Sequence, residues 1–356
     1  MVASLRERRV ERLIDSCYAD LDKSALTAEV LRRLPGVLPV EAVFFASVDP
    51  ATLLFTSAVA QDPLAGATPL FLDNEYGRAD VNKFAVLARS PEPVMSLDRA
   101  TRGERSASAR YREIMAGLGF GDELRAALIV GHECWGVLCL HREDVEAGFS
   151  GADLDLVRRL APHLAEGLRR DVVRQALTGD GAGSAGGPGV IVLDQGLTLV
   201  SISPDAERWL ARLEAPEIHG LPLPVYSLAV QLAQSPDTSP ETAHRPGSIR
   251  LRTTDGQWLT LHATRLRGRA EDRIGVVVEP APAAELGSLL LAAHGLTPAQ
   301  SRVTALVLQG CSTREIVARL HVSAYTVQEH LTAVFARFGV SSRRELIAAV
   351  LAAKGR

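Results

Sequence analysis

The sequence predicts a multidomain α+β chain: two α/β units in succession, then an all-α tail of four helices. Three observations carry this. A length of 356 residues exceeds what one domain usually holds. The segment 178–189, TGDGAGSAGGPG, has six glycines and no bulky side chain, so it reads as a linker. Helix-capping patterns crowd into the residues after Leu296. The expected units are 1–177, a linker at 178–189, 190–280, a linker and connecting helix at 281–295, and a tail at 296–356. A hydrophobic content of 47% permits full-sized cores, and 23% charged residues is ordinary for a folded chain. No run of 18 apolar residues and no basic-then-apolar leader occurs, so a cytoplasmic location is expected, with no membrane partner. Cys17, Cys134, Cys139 and Cys311 lack zinc-ribbon spacing and are expected as free thiols.

Residues 1–20 read as an amphipathic helix with Val10, Leu13, Ile14 and Cys17 on one face. It suits packing on its own domain or pairing with a second copy. Ala25–Leu34 is the next helix. Ala42–Ser47 and Leu53–Ala60 read as strands around the Asp49–Pro50 turn. Glu75–Arg89 reads as a helix, Pro91–Leu97 as extended, and Ser106–Leu118 as a helix stopped by Gly119. Leu124–Val130 and Cys134–His141 are strands joined by Gly131–His132–Glu133. Five positions apart on one strand, Cys134 and Cys139 are expected on opposite faces. His132 and His141 are expected to be solvent-facing or satisfied structural histidines rather than ligands. A helix of about 28 residues then runs to Leu177, with Leu154, Val157, Leu160, Ala161, Leu164, Leu168 and Val172 at near-heptad spacing.

In the second unit, Val190–Asp194 and Leu197–Ser201 are strands. Pro204–Leu213 and Pro224–Gln234 are helices. Ser235–Pro246 is a polar loop. Ile249–Thr254, Trp258–Leu266 and Arg273–Glu279 are three more strands, with a turn at Asp255–Gly256. Trp209 and Trp258 are expected in the core. Leu286–His294 is a connecting helix.

The tail has the clearest signals. Thr297, with Pro298 and Gln300 behind it, opens one helix that Gly310 closes. Ser312 with Glu315 opens the second, Ser323 the third, and Ser342 with Glu345 the fourth. His321–Val322–Ser323 is the short turn of a helix-turn-helix. On the third helix Val327, Leu331, Val334 and Phe338 fall within about 40° of one another and form the core stripe. Tyr325, Glu329, Thr332 and Ala336 lie opposite, with Gln328 on the flank. From Glu285 onward eight Lys and Arg face four acids, a net charge of +4 within a chain of net −3, so residues 1–284 carry −7. A basic end on an acidic body fits phosphate contact by the tail.

The stretch LTPAQ…GCSTREIVARLHVSAYTVQEHL…FGVSSRRELIAAVL resembles the LuxR/GerE-type helix-turn-helix of bacterial transcriptional regulators. It departs at Gln328 and Glu329, where the family usually carries a cation. The stretch GFGDELRAALIVGHECWGVLCLHRE…FSGADLDLVRRLAPHLAEGLR resembles a GAF sensor domain. ISPDAERWL and the strand order after residue 190 resemble a PAS domain. These resemblances imply a DNA-binding regulator of transcription that acts as a homodimer on inverted half-sites. Its third tail helix would lie in the major groove, with Tyr325, Gln328, Glu329 and Thr332 facing bases. Arg314, Thr326, Arg337, Arg343 and Arg344 are the candidates for phosphates. Leu346, Ile347 and Val350 of the fourth helix would supply the dimer contact. The resemblance also implies a small-molecule effector in the GAF-like unit and RNA polymerase as a downstream partner. No cofactor and no metal site are identified. No Walker loop, kinase glycine loop or G-x-S-x-G motif is present, so no enzymatic activity is expected. The alternative is a ligand-binding signalling protein that acts through protein–protein contacts.

Overall fold

The structure is a computed structural model that describes residues 2–143, 148–178, 186–234, 247–268 and 271–352. Its first half contains, in chain order, α1 (Val2–Tyr18), α2 (Lys23–Arg33), β1 (Ala42–Val48), β2 (Phe55–Ala60), α3 (Thr68–Leu72), α4 (Phe84–Leu87), β3 (Val94–Ser96), α5 (Leu97–Thr101), β4 (Phe120–Val130), β5 (Glu133–Glu143) and α6 (Gly151–Thr178). The second half contains β6 (Gly189–Leu193), β7 (Leu199–Ile202), α7 (Pro204–Leu210), β8 (Glu217–Ile218), β9 (Leu221–Pro222), α8 (Leu223–Gln234), β10 (Ser248–Arg252), β11 (Trp258–Leu266) and β12 (Arg273–Pro280). The connecting helix α9 (Ala283–Ala293) leads to α10 (Pro298–Leu308), α11 (Thr313–Leu320), α12 (Ala324–Phe338) and α13 (Arg343–Ala352). The linker expected at 178–189 and the loop expected at 235–246 fall mostly outside the described residues.

Three largely buried strands, β1, β5 and β4, form the centre of the first sheet, whose order is β2-β1-β5-β4-β3 with antiparallel neighbours. The second sheet, β7-β6-β12-β11-β10, is also antiparallel. Numbered by chain order within each five-stranded sheet, leaving out the separate β8–β9 pair, both read 2-1-5-4-3. On one face of the first sheet, Val10 of α1, Leu26 of α2, Leu164 of α6 and Leu290 of α9 close over Leu124 and Leu138. On the other face Phe44, Phe55 and Val137 run without a break into the second core of Trp209, Leu228 and Leu261.

The near-heptad stripe of α6 is spent on this sheet: Leu154, Val157, Leu160, Leu164 and Leu168 are buried there. Helix α1 likewise packs on α6 and α2, so it takes the intradomain option.

Three local expectations need correction. Glu75–Arg89 is not one helix. A π-helical turn covers Asp73–Gly77, Asn82 is left-handed at φ 56°, and α4 has only four residues. The physical reason is a polar anchor, because the buried Glu75 carboxylate accepts from the Phe84 backbone at 2.9 Å and from Arg125 Nη2 at 2.8 Å. Ser106–Leu118 similarly breaks into 3₁₀ and π turns. Cys134 and Cys139 do not lie on opposite faces. A bulge opposite Leu128/Ile129 inserts one residue, so both thiols join the same core while Trp135 turns to the other.

One ion pair fastens the two sheets together. Arg250 on β10 gives Asp49 its backbone N–H (2.9 Å), Nε (2.8 Å) and Nη2 (2.6 Å). Its remaining Nη1 reaches the Glu285 carbonyl at 2.9 Å and Ser288 Oγ at 2.8 Å, both on α9. Both partners are buried, and each of the three guanidinium nitrogens donates to at least one acceptor. Removing one partner strands the other charge. Asp49→Ala is therefore expected to cost about 3–5 kcal/mol in urea unfolding, while Asp49→Leu with Arg250→Met recovers most of the loss.

Candidate nucleic-acid interface

Side-chain caps fix the four tail helices. Thr297 Oγ1 accepts from Gln300 N at 3.3 Å while Gln300 Oε1 accepts from Thr297 N at 3.0 Å. Ser312 and Glu315 repeat this at 3.3 and 2.7 Å, and the Ser312 hydroxyl and backbone N–H hold the Glu315 carboxyl below the usual range. The fourth helix differs from the expected reciprocal box: Glu345 N reaches Ser342 Oγ at 3.2 Å, but the Glu345 carboxylate takes the Ser341 N–H at 2.8 Å. His321, left-handed at φ 53°, ends α11, and Ser323 Oγ accepts from Thr326 N at 3.0 Å to start α12. The result is two helices joined by a three-residue turn, the helix-turn-helix geometry.

Val327, Leu331 and Val334 of α12 are buried with Val303, Val307 and Ile316. The opposite face is open. Tyr325 is 73% exposed, and Gln328, Glu329 and Thr332 are exposed beside it. All four residues expected to meet bases therefore share one accessible surface.

The expected phosphate contacts divide. Arg314, Arg337 and Arg344 are exposed. Thr326 is half-buried and its hydroxyl bonds Ser323 at 2.9 Å, so it is engaged in the cap. Arg343 is half-buried and donates to the Cys311 carbonyl. That carbonyl follows the end of α10 and lacks a helical donor, so Arg343 is placed to satisfy it. Arg319, exposed in the last turn of α11, was not singled out from sequence, although a cation beside the turn was a usable signal. Leu346 and Val350 are buried in the tail's own core and Ile347 is packed against it, so the fourth helix does not offer the expected apolar dimer face.

The tail is seated against the sensor side through α9. Leu289 and Leu290 belong to the first core, whereas Leu291 belongs to the tail's. The His294 ring stacks on Phe338 with centroids 4.0 Å apart, and Arg169 of α6 donates to the Ala293 carbonyl. Burial, then the Arg169 charge, pulls the His294 pKa down to about 4.

A small cavity of about 20 Å³ lies inside the first unit, lined by Phe44, Phe71, Arg110, Met115, Glu123 and His141 among others. Its polar wall is a buried network. Arg110 Nε donates to Glu123 at 2.8 Å and its backbone N–H to Asp80 at 2.7 Å, while Arg125 lies 3.9 Å over the Phe84 ring. Burial alone would push the Glu123 carboxyl up, but the Arg110 and Arg125 guanidiniums outweigh it and hold it well below the usual range. His141 is buried rather than solvent-facing. Its Nε2 lies 3.5 Å from Glu123 Oε1 and its Nδ1 has no partner among the described residues, so the ring is a structural one satisfied on one side only. His132, by contrast, is exposed in its hairpin. The cavity accommodates one water-sized group. Trp209 is buried as expected, with its indole N–H on the Gly187 carbonyl at 3.0 Å, but Trp258 is only half-buried.

Residues 294–350 match the family described as "Bacterial regulatory proteins, luxR family", and residues 22–168 match the GAF domain. The chain thus carries a GAF domain followed by a luxR-type helix-turn-helix domain. Among curated proteins, it is 48% identical over 52 residues to the "Putative HTH-type transcriptional regulator Mb0914c" of Mycobacterium bovis and to its namesake Rv0890c of Mycobacterium tuberculosis. That overlap is 15% of this chain and only 6% of the length of those relatives. Among solved structures, the GAF domain of an Acinetobacter phosphoenolpyruvate-protein phosphotransferase aligns over 46% of this chain and 93% of its own, at 12% identity and a TM-score of 0.33. The Vibrio cholera VqmA–ligand–DNA complex aligns over 47% and 82%, at 18% identity and a TM-score of 0.23. No helix among the described residues is long and apolar enough to cross a membrane.

The His294 stack gives a pH dependence. Its folded-state value of about 4 lies below the ordinary 6.5, so the unfolded chain binds the extra proton. The stabilisation is full above about pH 6.5 and is lost as pH falls toward 4. Amide protection factors in α9 and α12, with exchange rates corrected for intrinsic pH dependence, are expected to fall across that window, and His294→Phe should flatten the trend.

Proposed function

We propose that this chain is a sequence-specific DNA-binding regulator of transcription, whose tail binds promoter DNA as a homodimer under control of the units before it. One observation carries the reading: within a capped helix-turn-helix, α12 buries Val327, Leu331 and Val334 and presents Tyr325, Gln328, Glu329 and Thr332 together to solvent. A polar, hydrogen-bonding first two turns on an exposed second helix is what major-groove readout requires. Arg314, Arg319, Arg337 and Arg344 are the phosphate-facing cations in this reading, and Arg343 braces the domain. The proposal places the protein in the cytoplasm, without enzymatic activity and without a membrane partner. Its effector is a small molecule held by the GAF domain, and RNA polymerase is the partner at the promoter. The units proposed from sequence, with a PAS-like unit at 190–280, are compatible with a second sheet that repeats the strand order of the first.

Selection of duplexes from a random pool by the full chain tests the reading. Enrichment of an inverted-repeat site is expected, and absence of any sequence preference at low salt overturns it. On the selected site, Gln328→Ala should relax preference at one base position by about 1–3 kcal/mol. Arg344→Ala should weaken all sequences alike and reduce the salt slope by about one unit.

A further inference from the structure

We propose that Thr332 reads the 5-methyl group of a thymine, so that the DNA this chain selects carries a thymine against the third turn of α12. The inference rests on the reading of α12 as the helix that enters the major groove, and it names the base that one residue of that helix requires.

The hydroxyl of Thr332 is already committed. Its Oγ1 donates to the Gln328 carbonyl of the same helix at 3.0 Å. A threonine hydroxyl has one proton to give, and this one points four residues back along the helix. Releasing it to a base would exchange one hydrogen bond for another with little net gain. Guanine O6 and N7, adenine N7 and thymine O4 are all acceptors, and each needs a donor from the protein. Thr332 therefore has no proton to offer those atoms.

Two parts of the side chain remain, the lone pairs of Oγ1 and the Cγ2 methyl. The lone pairs suit adenine N6 or cytosine N4, the base donors of the major groove. Glu329 is the better group for those. It lies three residues earlier on the same exposed stripe, its carboxylate has no partner among the described residues, and a charged acceptor is stronger than a hydroxyl. The methyl is the branch of Cβ that the Gln328 bond does not use, and the residue is exposed, so the methyl is its outward surface. Ala336, one turn further on the same stripe and also exposed, adds a second methyl beside it. The polar surface of Tyr325, Gln328 and Glu329 thus gives way to a short apolar strip. In the unmodified major groove only thymine presents a methyl group, and the contact that recognises it is apolar.

Replacing thymines by deoxyuridine, one at a time, tests this, because each replacement removes a methyl and leaves every hydrogen-bonding group in place. The duplex is one that the full chain selects from a random pool. Binding by the parent chain should weaken about four- to tenfold at one thymine of a half-site, the effect of taking a methyl contact away. Thr332→Ser keeps the hydroxyl and loses the methyl, so it should bind thymine and deoxyuridine at that position alike. Thr332→Val keeps the methyl and loses the hydroxyl, so it should retain the preference whatever its overall affinity. Both changes fall at an exposed position, and melting temperatures should stay within about 4 °C of the parent. A preference kept by Thr332→Ser or lost by Thr332→Val assigns the contact to the hydroxyl and overturns the proposal. A selected duplex in which no thymine shows this sensitivity overturns it too, while the reading of the tail stands. If no duplex is selected at all, that reading fails and the proposal falls with it.

Discussion

Asp49 and Arg250 form the contact on which the arrangement depends. A turn residue after β1 and a strand residue on β10, 201 positions later, meet in a buried, bidentate pair. The pair spends its desolvation cost on geometry rather than on stability alone, because a planar guanidinium accepts few orientations. Its spare nitrogen holds the first turns of α9 through Glu285 and Ser288. Thr260 of β11 adds a bond to the Glu285 carboxylate at 3.0 Å. A single side chain thereby touches the first sheet, the second sheet and the helix that carries the tail.

This placement links both sheet units to α12 through a single helix. Leu289 and Leu290 pack into the first core, and Leu291, next in sequence, packs into the tail's. Helix α9 thus has one face in each body. A rotation of α9 that satisfies the Arg250 contacts differently would have to repack both. The exposed face of Tyr325, Gln328, Glu329 and Thr332 lies away from this junction, while Phe338, at the end of the same helix, lies on it.

Much of this was legible in the sequence, and the reasons are local. The tail's helices were readable because Thr297, Ser312 and Ser323 cap through residues three positions away, which a sequence displays directly. The strands and the long α6 were readable because burial leaves an apolar pattern. The misreadings share a different cause. Glu75 looked like a helix former, but it anchors Phe84 and Arg125 across a turn. His141 and the charged pair Glu123 and Arg125 sit on buried strands, where only tertiary pairing explains a polar side chain. One inserted residue at a bulge reversed the expected facing of Cys134. Leu346 and Val350 looked like surplus apolar surface, because sequence does not show how much of a small core the other three helices leave unfilled.

The buried sulfurs have a consequence for oxidative signalling. Cys17, Cys134, Cys139 and Cys311 are all buried and unpaired. Burial pushes the Cys17 and Cys134 thiols up to about 12, and Cys139 higher still. At neutral pH roughly one in 10⁵ of such groups is a thiolate, the form that peroxide attacks. A chain with a GAF domain and several cysteines invites a reading as a redox switch. These three sulfurs instead behave as small apolar fillers, insulated from oxidants by the packing that holds the strands and helices together.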